Sequence, residues 1–156
     1  MLICRNFFPI TGPSLLPRNV PHGRGCPCGQ SSAFCRLDFT HTGRRMPWET
    51  AYFSRRARLC ALVSAECVEH EGRFLDAIAD TVWAICEESA WQLPAHNSYV
   101  RDTPQLPLPD TTRPIVDLFA AETGALLALT RYLLPDELDT AAPGITARME
   151  RELDAR

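Results

Sequence analysis

The sequence predicts an all-α fold, with antiparallel helical hairpins forming the opening part of an α/α toroid, preceded by an irregular arm. Three observations predict it. Apolar residues recur at spacings of three, four and seven from Trp48 onward, no strand-like alternation follows residue 45, and one segment is apolar around nearly its whole circumference. The 156 residues give room for one domain of ordinary size, and 46% hydrophobic content suits a packed core.

Residues 1–36 form the predicted arm, irregular or disordered. Pro9, Pro13, Pro17, Pro21 and Pro27 are too closely spaced for a helix, and no alternation suggests a strand. Cys26, Cys28, Cys35, His22 and His41 lie in or near this arm. Structural zinc usually needs C-x₂₋₄-C pairs, whereas the pair here is C-x-C with no second pair, so no metal is expected.

The first helix follows Pro47, which suits a first helical turn. Tyr52, Leu59, Leu62, Val63 and Cys67 form its core face, and Arg55, Arg56, Arg58, Glu66 and Glu69 form the solvated one. His70-Glu71-Gly72 ends it, with Gly where a left-handed cap is needed. A second helix is predicted over 73–88, with Phe74, Ile78, Val82 and Ile85 on one stripe and Leu75, Trp83 and Cys86 beside it. The short turn makes the two antiparallel.

Pro94, Pro104, Pro107 and Pro109 make 90–113 a long loop without a regular element, and such loops in compact domains are often functional. Trp91, His96, Asn97, Tyr99 and Arg101 are its candidate binding residues. A third helix opens after Pro114. Ile115, Val116, Leu118, Phe119, Leu126, Leu127, Leu129, Tyr132, Leu133 and Leu134 surround it, which predicts burial on all sides. Pro135 stops it, and Pro143-Gly144 lead into a last amphipathic helix with Ile145, Met149 and Leu153 on one face.

Charge narrows the function. Residues 1–45 hold six Arg and one acid, Asp38, while the rest holds ten Arg and eighteen acids, for a formal net charge of −3. The globular part lacks the basic face that phosphate contacts require, so nucleic acid is not an expected partner. No stretch approaches a membrane span of roughly 20 apolar residues. Arg5 and Asn6 interrupt the apolar N-terminus, so no signal peptide is read, and seven Cys, an odd number, favour a reducing, cytoplasmic setting.

The run Trp83-Ala84-Ile85-Cys86-Glu87-Glu88-Ser89, continuing through Trp91, Leu93-Pro94-Ala95 and His96-Asn97, resembles a segment found early in the toroid of heparinase II/III-like polysaccharide lyases. Leu118-Phe119-Ala120-Ala121-Glu122-Thr123-Gly124 is similar to a helix of that family. Residues 38–45 and the paired segment from Tyr52 to Leu59 resemble its lead-in. The resemblance covers about residues 37–156 and implies a partial α/α toroid there. It also implies β-elimination at a uronic-acid residue, in which a Tyr or His takes the proton and Asn, His or Arg offset the carboxylate charge.

The family's acting Asn, His and Tyr are expected further along the toroid and in sheet domains. The expected function is therefore an N-terminal fragment of a polysaccharide lyase, inactive alone, with no catalytic residue identified and no cofactor. The expected partner is an acidic polysaccharide or oligosaccharide. Trp91 would stack on a pyranose face while His96 and Asn97 bond hydroxyls, with Tyr99 and Arg101 alongside. Glu87 and Glu88 point about 100° apart on a helix and do not form an acid–base pair. Glu122, on an otherwise apolar helix, is expected to be buried and paired.

Two other classes compete. One is a noncatalytic carbohydrate-binding or helical interaction module, and a fragment with exposed helix faces would self-associate. The other is part of a toroidal glycoside hydrolase, which needs two carboxylates flanking the bond. Glu87, Glu88, Asp110 and Glu122 supply acids for that role without showing the geometry.

Overall fold

The structure is a computed structural model that describes residues 33–100 and 103–156. Most of the arm and Arg101 lie outside the described residues. What is described is all-helical: α1 (Ala33–Thr42), α2 (Met46–Glu69), α3 (Leu75–Cys86), a single 3₁₀ turn (Pro94–His96), α4 (Leu118–Leu133), α5 (Pro135–Ala141) and α6 (Ile145–Ala155). No helix among the described residues is long and apolar enough to cross a membrane.

The predicted arm ends too late, because α1 begins at Ala33. This helix has no strong apolar stripe, and tertiary contacts hold it. Arg36 Nη2 donates to the carbonyls of Ala90 (3.0 Å) and Gln92 (3.2 Å), and Gly43, at φ 72°, ends the helix.

In α2, Pro47 pre-sets the first turn and Trp48, Tyr52, Leu59 and Val63 face inward. Toward the end of this helix two expected faces are exchanged. Cys67 is exposed, and Glu66 is buried at 1% exposure. Glu66 lies on the inner face near the helix end, where its carboxylate meets the amides that open the next helix.

The turn uses two left-handed residues, His70 (φ 53°) and Gly72 (φ 78°), and the His70 amide donates to the Glu66 carbonyl at 2.7 Å. The second helix is shorter than predicted at both ends, running from Leu75 to Cys86. Its Ile78, Val82, Ile85 and Cys86 are buried and share one core with Leu59 and Val63 of α2. Trp83 stays half exposed beneath the Arg148 guanidinium.

The third helix differs most from expectation. It starts at Leu118, because Asp117 is its N-cap and accepts the Ala120 amide at 2.7 Å. It is not buried all round. Thr123, Leu127 and Thr130 face the core, while Leu118, Leu129, Tyr132 and Leu133 are exposed, since α2, α5 and α6 cover one side only. Pro135 stops α4 and also opens the short α5. Asp139 then caps α6, accepting from the Gly144 and Thr146 amides and the Thr146 hydroxyl.

The main core joins Leu59, Val63, Ile78, Val82, Ile85, Leu127, Leu134, Leu138, Ile145 and Met149. Truncating one fully buried member such as Leu127 to Ala would cost about 2–5 kcal/mol. A smaller cluster of Cys35, Trp48, Tyr52 and Leu93, with Phe119 against it, ties α1, α2, the loop and α4 together.

Candidate functional site

Where α3 ends, the chain turns so that Glu87 points to solvent and Glu88 points inward. The Glu88 carboxylate accepts from Arg56 Nη1 (2.8 Å) and Nη2 (2.5 Å), and also from Arg55. These charges are largely withdrawn from water, so each depends on the others. Arg55 and Arg56, read from sequence as solvated, are thus partly buried partners of Glu88. Arg56 lies over the Tyr52 ring at 3.4 Å, and its Nε donates to the Thr123 hydroxyl at 3.1 Å. The Tyr52 hydroxyl in turn meets Thr123 Oγ1 (2.8 Å) and the Phe119 carbonyl (2.9 Å). Burial pushes the Tyr52 phenol above its ordinary pKa, against the nearby Arg56 charge, so it stays a protonated donor.

Asp117 is the second junction. Beside capping α4, its Oδ2 accepts the Leu93 amide (3.2 Å) and the His96 Nδ1–H (2.5 Å). A carboxylate on Nδ1 fixes the neutral imidazole in the Nδ1–H form, leaving Nε2 as an acceptor. The His96 ring stacks on Phe119 with centroids 6.0 Å apart, and Phe119 meets Phe53 at 5.6 Å. Arg36 lies over Trp48 at 4.7 Å, and burial lowers its pKa to about 10, which still leaves it cationic at neutral pH. Arg36 Nη1 and the Trp48 indole N–H are buried without a hydrogen-bond partner among the described residues.

Between α2 and α4 lies an open groove of about 260 Å³ lined by Phe53, Arg56, Cys60, Phe119, Glu122 and Thr123. Glu122 is exposed at its lip. It is not the buried, paired carboxylate expected from sequence, because the groove leaves its position on α4 open.

The predicted binding residues fall into different settings. Trp91 is 2% exposed, its indole N–H donates to the Ile85 carbonyl (3.2 Å), and Arg156 lies over the ring at 4.6 Å. Asn97 is 1% exposed and braces the loop, donating to the Leu106 carbonyl at 2.9 Å. Tyr99 is exposed beneath Arg113, 3.9 Å from its ring centroid. Of the described ones, His96 alone joins the aromatic row, by stacking on Phe119. Arg101 lies outside the described residues.

Sequence reasoning missed Asp117, Phe53 and Phe119 as site residues. Asp117 carried a usable signal, an Asp immediately before a helical run. Phe53 carried none, since its role depends on which face of α2 meets α4. Of the sequence's Cys and His cluster, Cys35 is buried in α1 and His41 is exposed near the end of that helix, while Cys26, Cys28 and His22 lie outside the described residues. Among the described residues, no group of three or more His, Cys, Asp and Glu side chains could hold a metal ion. Compared with models of known protein families and with curated protein sequences, the chain matches none of either.

Proposed function

We propose that this chain is the opening, scaffolding part of the α/α toroid of a heparinase II/III-like polysaccharide lyase, contacting a uronic-acid-containing polysaccharide without performing the β-elimination itself. One observation carries the reading. The segments that resemble that family lie far apart in sequence, yet they meet in two junctions bridged by Phe119. Arg55 and Arg56 come from the first, Glu88 and His96 from the second, and Asp117 and Thr123 from the third or its edge. The test is retardation in gels containing uronate polysaccharide, against a neutral glucan control. Retardation by the acidic polymer, with no unsaturated product absorbing in the near ultraviolet, is the expected result. A helical chain that ignores every acidic polymer overturns the contact, and product formation overturns the scaffolding role.

The exposed row Leu118, Leu129 and Tyr132 on α4 favours a second reading, a helical interaction module. Size-exclusion chromatography separates the two. A stable, soluble monomer at high concentration speaks for an independent module, and concentration-dependent self-association speaks for an uncovered scaffold. The hydrolase reading has less support, since Glu122 alone of the four candidate acids lines the groove.

A further inference from the structure

Resting on that reading, we infer that the α2–α4 groove is a subsite for an uncharged, hydroxyl-rich pyranose residue of an alternating polysaccharide, not for its uronate. The aromatic face open to a ligand in this groove belongs to Phe53, 40% exposed, with the half-buried Phe119 edge-on beside it. An aromatic face takes the apolar face of a sugar ring, and the groove volume of about 260 Å³ admits one such ring. Trp91 offers no comparable open face, with Arg156 over its ring.

The polar groups at this groove set the ligand's charge. The exposed Glu122 carboxylate at the lip accepts hydroxyl protons and repels another carboxylate. His96 stacks on Phe119 beyond the groove's lining and adds no group to it. On the floor, Arg56 is already engaged bidentately by Glu88 and by Thr123, so it is not available to clamp a uronate. A carboxylate acceptor at the lip and a satisfied guanidinium below suit hydroxyl donors.

Cys60 makes the test direct, because this exposed thiol lines the groove while Cys67, also exposed and two turns along α2, does not. Alkylation by iodoacetamide, read by peptide mass, is followed with oligosaccharides alternating glucuronate and N-acetylglucosamine, and with galacturonate homopolymer. The alternating oligosaccharide slows modification of Cys60 and leaves Cys67 unchanged. Phe53→Ala weakens that binding at least about fivefold, and Glu122→Gln raises affinity for the homopolymer about two- to threefold. Both residues are exposed, and circular dichroism verifies that each variant keeps its helices. Binding of the alternating oligosaccharide with no protection of Cys60, or with unchanged affinity in Phe53→Ala, overturns this subsite and leaves the functional reading standing. Binding of neither polymer overturns both.

Discussion

The carboxylate of Glu66 holds the backbone of Phe74 from across the hairpin: its Oε2 accepts the Phe74 amide at 3.0 Å while its Oε1 accepts the Gly72 amide at 2.7 Å. A side chain at the end of one helix thereby satisfies donors that open the next, a service normally given by a local cap.

Glu66→Ala should therefore destabilise the chain by about 2 kcal/mol, since both amides lose their acceptor. Glu69→Ala, one turn away and exposed, should change stability by less than about 0.5 kcal/mol. Urea unfolding followed by circular dichroism compares them, and equal effects would contradict the capping role.

At Glu88 the loss should be larger. Glu88→Ala takes the shared carboxylate from two partly buried guanidiniums and should cost about 3–5 kcal/mol. Replacing Glu88 and Arg56 together by apolar residues should recover part of that loss, giving a non-additive double-mutant cycle.

For Asp117 the predicted effect is local. Asp117→Ala removes the α4 cap, worth about 1–2 kcal/mol, and releases Leu93 and His96. Hydrogen exchange should accelerate at the Leu93 and Ala120 amides more than in α6. Uniform acceleration would show that Asp117 serves only global stability.

Cys86 gives a pH prediction. Burial raises its pKa from 9.0 to about 11, so between those values the unfolded chain loses its thiol proton while the folded chain keeps it. The folded state then binds more protons, and stability must fall as pH rises from about 9 to 11. Cys86→Ala should flatten that part of the pH profile. At pH 8, iodoacetamide should modify Cys60 and Cys67 in the folded chain and spare Cys86.

The helices around Val82 and Leu127 were legible in the sequence because apolar spacing reports a core face directly. The charged residues were harder to place. Glu66 and Glu69 are the same residue type within one turn, and only the position of α3 makes the first buried and the second exposed. Likewise Arg56 and Arg58 look alike in sequence, yet one meets Glu88, 32 positions away. The loop's polar and aromatic composition is plain in the sequence, but periodicity carries no information about the direction a loop side chain faces. Trp91 and Asn97 turn inward and Tyr99 outward.

The bare outer side of α4 bears on how that helix finds its orientation. Leu118, Leu129 and Tyr132 point outward and Leu127 inward, so turning α4 about its axis would bury surface of similar oiliness. Hydrophobicity alone leaves this rotation nearly degenerate. Polar contacts break the tie: Asp117 gripping Leu93 and His96 at one end, and Thr123 bonded to Tyr52 and Arg56 further along. In α4 the apolar residues supply adhesion, and two short polar side chains supply the address.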